Sequence, residues 1–292
     1  EFNDLIKQAL AVSKARLDKN PQDVEALYFL GATEGLKAAF ATAVQRSFMS
    51  ALSDGSSSVD RHREVIKLDP AFRDAELTIG LYEYVVGSLP LPVKIFASLT
   101  GARGSKKRGL ETLARVAKDG RWARDDAKAL LIVLYKREKR FTEALELARE
   151  LGEKYTRNYL FKLEAADALS SLAITERAAG KLNEAAGHER EAFAIFEALL
   201  REKPVRGSVI GRAQDQIHFQ YGETLMAAGQ FERAGVEAVL PLVPERGAAQ
   251  RALDDRVELR AVALAVDARA VGDVVVDRLG EGVRLLEHHA DA

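Results

Sequence analysis

Three short runs constrain this chain more than anything else in it. They are Arg140-Phe141-Thr142-Glu143-Ala144, Gly180-Lys181-Leu182-Asn183-Glu184-Ala185 and Gly229-Gln230-Phe231-Glu232-Arg233-Ala234. Each follows an apolar-periodic stretch and opens another, so each reads as a turn that reverses one helix into the next. An apolar side chain starts the second helix, and Ala three residues later lets the preceding helix come close. A chain that repeats this unit stacks helix pairs on their neighbours instead of closing around one central core.

The periodicity extends the pattern in both directions. A helix is predicted from Phe2 to Lys19, closed at Asn20-Pro21 because proline cannot continue it. It reads as a second helix without its first, so the sequence is expected to start in mid-repeat. Gln22 to about Leu52 reads as one long helix, Ser53 to Ser58 as a polar turn, and Val59 to Leu68 as the partner helix. Ala71 to Gly87 repeats the first-helix pattern, and Leu89-Pro90-Leu91-Pro92 breaks it. A short helix from Val93 to Leu99, a basic loop from Gly101 to Gly109 and a helix from Leu110 to Lys118 follow. Arg124 to Lys136 with Phe141 to Lys154 is the clearest pair. Tyr159 to Ala179 with Leu182 to Arg201 is the next, closed at Lys203-Pro204, and Arg212 to Ala228 begins another. Trp122 is expected to anchor the start of the Arg124 helix.

The architecture these signals predict is all-α: a right-handed α-solenoid of about five antiparallel helix pairs over residues 1–231, the first incomplete. The turn runs resemble those of tetratricopeptide repeats. Phe141 to Leu182 and Leu182 to Phe231 are 41 and 49 residues apart, whereas ordinary tetratricopeptide repeats run about 34. An irregular stack of long helices is therefore expected.

Residues 232–292 are written differently. There is no Lys after Lys203 and no aromatic after Phe231, and the tail uses only the ten residue types that codons beginning with G or C specify. A frameshift in a GC-rich gene accounts for this restriction better than a genuine Ala/Val/Arg-rich tail. Val274-Val275-Val276 and the scattered glycines are also poor helix material. No functional information is taken from this segment.

Between Gly80 and Phe161 the chain resembles something more specific. Gly80-Leu81-Tyr82-Glu83-Tyr84 leads to Gly87-Ser88-Leu89-Pro90. Then come Gly101, Gly104-Ser105-Lys106, Gly109-Leu110-Glu111-Thr112-Leu113, Tyr135, Glu143-Ala144-Leu145 and Arg157-Asn158-Tyr159-Leu160-Phe161. In this order the motifs resemble the tetratricopeptide-repeat family that contains the inclusion-body clearance proteins and their bacterial relatives of unassigned role. The likeness runs from about Gln22 to Phe231. Thr156 departs from it, standing where Pro is expected after Tyr155. The resemblance implies a helical scaffold without catalytic residues, in a bacterial chain whose compartment, cytoplasm or periplasm, stays open.

Composition narrows the function classes. Charged residues make up 30% of the chain and the net charge is -1, which argues against a general nucleic-acid or membrane-surface binder. No apolar run approaches the roughly 18 residues of a membrane span. With no Cys there is no disulfide and no thiolate metal site. The five histidines form no i,i+4 ligand pair, Asp125-Asp126 and Asp254-Asp255 point apart on a helix, and no Gly-x-Ser-x-Gly elbow occurs. No cofactor, metal or enzymatic activity is expected.

Two groups of residues are candidates for binding. Arg103, Lys106, Lys107 and Arg108 crowd a glycine-bounded loop just before a helix, where a phosphate, a lipid headgroup or an acidic peptide could sit. The loop is not a P-loop, since Gly-x-x-x-x-Gly-Lys-Ser/Thr is absent. Tyr82, Tyr84, Tyr155, Tyr159 and Phe161 suit a concave peptide groove if exposed, and core packing between repeats if buried; Tyr82, Tyr84 and Tyr159, with Arg157, are kept as partner-binding candidates. The leading expectation is a non-catalytic scaffold for a protein or peptide partner. The alternative is a binder of a small anion or headgroup through residues 101–109.

Overall fold

The sequence's three reversal runs adopt one backbone conformation. In the computed structural model the described residues are 2–45, 47–91, 94, 103–201, 210–231 and 233–234. Most of the short helix expected from Val93 to Leu99, Gly101, Lys203-Pro204 and the tail beyond Ala234 lie outside them. The regular elements among the described residues are all helical: α1 (Phe2–Lys19), α2 (Val24–Ala43), α3 (Phe48–Leu68), a 3-10 turn (Arg73–Ala75), α4 (Glu76–Ser88), α5 (Lys106–Asp119), α6 (Arg124–Arg137), α7 (Phe141–Lys154), α8 (Tyr159–Ala178), α9 (Leu182–Arg201) and α10 (Ile210–Ala227).

The turns after α6, α8 and α10 are superimposable in their bonding. Lys139, Gly180 and Gly229 have φ of 60°, 77° and 77°. The next N–H reaches back five residues in each: Arg140 to Tyr135, Lys181 to Glu176 and Gln230 to Leu225, at 2.8, 2.9 and 2.8 Å. This left-handed helix end satisfies carbonyls that would otherwise be orphaned. The predicted alanines follow. Ala144, Ala185 and Ala234 are buried, and their N–H groups bond to Arg140, Lys181 and Gln230. The repeat pattern therefore holds through residue 234.

The described residues divide within α6 into two compact units, one up to Leu130 and one from Leu131. The sequence reading had a single repeat domain through 231. In the first unit α1 packs on α2, α2 on α3, α3 on α4 and α4 on α5. In the second, α7 packs on α8, α8 on α9 and α9 on α10, while α8 also meets α10. Each unit is thus a stack of consecutive helices of the α-solenoid type. Polar side-chain pairs tie the helices of the second stack together. Lys136 bonds Asp167 at 2.7 Å and also reaches Glu164, Arg177 pairs with Glu189, and His188 Nδ1 meets Glu176 at 2.7 Å. Burial alone would lower the pKa of Lys136, but Asp167 and Glu164 outweigh it and hold it above the ordinary value.

The first unit corrects two boundaries. The long helix expected to reach Leu52 ends at Ala43, and the expected polar turn at 53–58 is the interior of α3. Its small residues serve contact. Ser58 Oγ donates to the Gly31 carbonyl at 2.6 Å, and Gly55 lies over Ala38. Leu27, Tyr28, Val65 and Ala75 form the core beside them. Trp122, just before α6, packs against this core, stacked on Tyr28 at 5.5 Å and close to Phe29 and Phe72. Buried Asp74 accepts the N–H groups of Arg121, Trp122 and Ala123 at 3.1, 2.7 and 2.7 Å, which ties the approach to α6 onto the turn before α4.

His62, on α3, is fully buried against α2. Its Nε2 donates to the Tyr28 carbonyl at 3.2 Å, while Nδ1 has no hydrogen-bond partner. Burial holds its pKa down at about 4, against a partial opposing effect of the Tyr28 bond.

Two predictions follow from these elements. Lys139 holds a left-handed conformation that costs an L-residue about 1 kcal/mol, so Lys139→Gly is expected to raise stability by about that amount in urea denaturation. His62 stays neutral when folded but titrates near 6.5 when unfolded, so the stability it supports is complete above pH 6.5. That stability is expected to fall by about 1.4 kcal/mol per pH unit between pH 6.5 and 4. His62→Gln, which keeps a donor for Tyr28, should flatten this slope in urea midpoints measured across the range.

Candidate functional site

Four glycines bring α4 and α5 into backbone contact. A Cβ on Gly109 would lie 2.6 Å from the Tyr84 nitrogen and 2.7 Å from the Gly80 oxygen. One on Gly87 would meet the Lys106 nitrogen at 2.5 Å, and one on Gly104 the Glu83 oxygen at 2.5 Å. A Cβ on Gly80 would press on Leu113 and Thr112 at 3.1 Å. The absence of side chains at these positions is therefore what permits the crossing.

This placement corrects the reading of the glycine loop. Lys106 to Gly109 are not loop but the first turn of α5, with Ser105 as N-cap accepting the Arg108 N–H at 3.4 Å. Gly104 and Gly109 are committed to helix contact and leave no open cradle. Tyr84 is likewise core: it is completely buried at the crossing, and the Lys106 ammonium lies 5.9 Å from its ring centre. A partner cannot reach it.

The other candidates sit apart. Arg103 and Lys107 are exposed, and Lys107 approaches Glu111 at 3.9 Å. Tyr82 is half-buried with the Arg63 guanidinium 5.7 Å from its ring. Arg157 is exposed and Tyr159 half-buried, both in the second unit. Of the eight candidates, Arg108 lines a groove over α4 and α5.

That groove has a volume of about 420 Å³ and lies over α4 and α5, with Ile66 of α3 at its edge. Its apolar part is Ile66 and Ile79. Its walls are Glu76 and Glu83 on α4, and Arg108, Glu111, Thr112 and Arg115 on α5. Arg108 Nε stands 3.7 Å from Glu83, and Arg115 Nε stands 3.2 Å from Glu76. Arg115 also donates to Thr112, and Glu76 accepts a second guanidinium from Arg73 at 3.0 Å. The two cross-helix rungs are seven residues apart on both helices, about 10.5 Å along the axis. In each rung the carboxylate is the more buried partner: Glu76 and Glu83 are 12% and 22% exposed, Arg115 and Arg108 50% and 62%. Glu76 and Glu83 on one helix and Arg108 and Arg115 on the next place opposite charges at i,i+7, a signal present in the sequence, while Ile79 carries none of its own.

Among the described residues no cluster could hold a metal ion and no helix is long and apolar enough to cross a membrane.

Gly109→Ala should push the two helices apart and destabilise the protein by about 1–3 kcal/mol or more. Gly187, in α9, has nothing within 4 Å of its Cβ position, so Gly187→Ala is expected to stabilise by about 0.5–1 kcal/mol. Urea midpoints of the two variants check both signs.

No family model matches the sequence, and no curated protein matches it. Among solved structures, a monomeric mutant of IFIT1 with Gppp-AAAA aligns at 13% identity and a TM-score of 0.48, over 96% of this chain and 55% of that one. The human IFIT1 dimer with m7Gppp-AAAA aligns at 13% identity and a TM-score of 0.38, over 96% of this chain and 68% of that one. This chain thus spans about half the length of the first, and its likeness to both is a loose one between helical proteins.

Proposed function

We propose that this chain is a non-catalytic helical-repeat scaffold that holds a segment of a protein partner in the groove over α4 and α5. The observation that carries the reading is the groove itself. An apolar patch of Ile66 and Ile79 is framed by paired charged side chains, a surface that offers both burial and polar contacts to a peptide.

A second reading, a small anion or lipid headgroup at the start of α5, rests on a different observation. The first turn of α5 carries Lys106, Lys107 and Arg108 and no carboxylate, where a helix N-terminus favours anions. Two facts weigh against it: its glycines are taken up by the α4 crossing, and Arg108 and Lys107 face carboxylates.

Site-specific photo-crosslinking separates the two. A photoreactive residue in place of Ile79 is expected to give discrete peptide adducts in a lysate of the native host, while the same residue in place of exposed Lys118 does not. Adducts equal at both positions, or made only of nucleic acid or lipid, would overturn the peptide-groove reading.

A further inference from the structure

We propose that the contact between α2 and α3 is an acid-sensitive latch on the groove: uptake of one proton at His62 frees α3 from α2 and takes Ile66 away from the groove's edge. As a regulation of partner binding the latch rests on the peptide-binding reading above; the release of α3 does not.

His62 is fully buried where α3 meets α2. Its Nε2 is taken by the Tyr28 carbonyl, the Tyr28 ring centre lies 5.4 Å away, and a Cβ on Gly31 would come within 2.9 Å of Nε2. Nδ1 is buried with no hydrogen-bond partner. A proton there creates a cation whose new N–H has neither water nor an acceptor, so the charged ring must leave the contact or stay unsolvated. The neighbouring ionisable groups are engaged elsewhere. Burial holds the Glu34 carboxyl of α2 above its ordinary value, against Arg61 of α3, Lys37 of α2 and Lys14 of α1, with Asp54 of α3 adding to the effect. On the 3-10 turn and α4, Asp74 accepts the N–H groups of residues 121–123, Glu76 faces Arg73 and Arg115, and Glu83 faces Arg108. Among the described residues, burial and the Tyr28 bond are what act on His62, and no carboxylate offsets a proton there. Glu34 works in the opposite sense, favouring the closed contact once it is itself protonated.

The element that yields is α3. Its middle, Gly55-Ser56-Ser57-Ser58, is poor helix material. That stretch meets α2 through small groups, with Ser58 against Gly31 and Gly35 and Gly55 over Ala38, so little apolar area holds it down. Ile66 stands one helical turn after His62 on the same side of α3. It packs against the core of Leu27, Tyr28, Val65 and Ala75 and also lines the groove. Lifting His62 off α2 therefore moves Ile66. Released, His62 titrates at its ordinary 6.5; closed, it is held down at about 4. The released form thus gains about tenfold over the closed one between pH 7.5 and 5.5, above the range where carboxylates titrate.

The test is hydrogen exchange on the whole protein, read by mass spectrometry and corrected for the intrinsic pH dependence of exchange. Protection of α3 is expected to fall about tenfold from pH 7.5 to 5.5, while α8 keeps its protection and His62→Gln holds α3 constant. Flat protection of wild-type α3, an equal fall in His62→Gln, or a fall shared by α8 would overturn the latch. If His62→Gln does not fold, the wild-type profile decides: one proton gives about tenfold per pH unit below 6.5, and a flat profile overturns the proposal. The photoreactive residue in place of Ile79 then reads the groove. Its peptide adducts in native-host lysate are expected to drop severalfold at pH 5.5 in the wild-type background and to persist with His62→Gln. Adducts unchanged while α3 loses protection would overturn the link from latch to groove. Adducts absent at both pH values would overturn the peptide-groove reading instead, with exchange still deciding the release of α3.

Discussion

Close approach of helix backbones at positions without large side chains is the constraint on which this structure depends. It recurs at several packings of consecutive helices. Gly31 and Gly35 of α2 receive His62 and Ser58 of α3, and a Cβ on Gly31 would lie 2.9 Å from the imidazole. Gly80, Gly87, Gly104 and Gly109 bring α4 onto α5. Ala144, Ala185 and Ala234 occupy the buried position one turn into each following helix. Helices this close leave little room for side chains between them, so polar groups at the crossings must bond backbone or go unpaired. Ser58 bonds the Gly31 carbonyl, and His62 keeps one nitrogen unpartnered at the same interface.

The same crossing sets the electrostatics of the groove. With α4 and α5 antiparallel and in backbone contact, residues seven apart on one helix face residues seven apart on the other. Arg108 opposite Glu83 and Arg115 opposite Glu76 are a consequence of that register. Exposed ion pairs add little stability, about 1 kcal/mol or less. Each pair sets a guanidinium beside a more deeply placed carboxylate at the edge of the groove.

Parts of this arrangement were legible in the chain. The turns at 139–140, 180–181 and 229–230 were, because a reversal with a left-handed residue, an apolar start and a small residue is encoded within a few positions. Lys139 shows how local that code is: it adopts the glycine conformation, at φ 60°, because the same bonds close around it. Residues 53–58 were misread because Ser, Asp and Gly signal a turn in isolation and close packing when a partner helix lies above them. Gly104 and Gly109 were misread for the same reason, with flexibility inferred where contact was the cause. Of the candidate site, Arg108 was recognised and Arg115, Glu76, Glu83 and Ile79 were not. Their signal is a register between two helices, which no run of neighbouring residues encodes.

The sequence by itself determined most of the helices and the sites of reversal, because each depends on bonds or periodicity within one or two turns. Tertiary structure alone decided which glycine meets which backbone, that Tyr84 is sealed at a crossing, and that the described residues divide within α6. It also decided which carboxylate lies beneath which guanidinium. These depend on the register and depth at which separate helices pack, and contacts among residues dozens of positions apart set both.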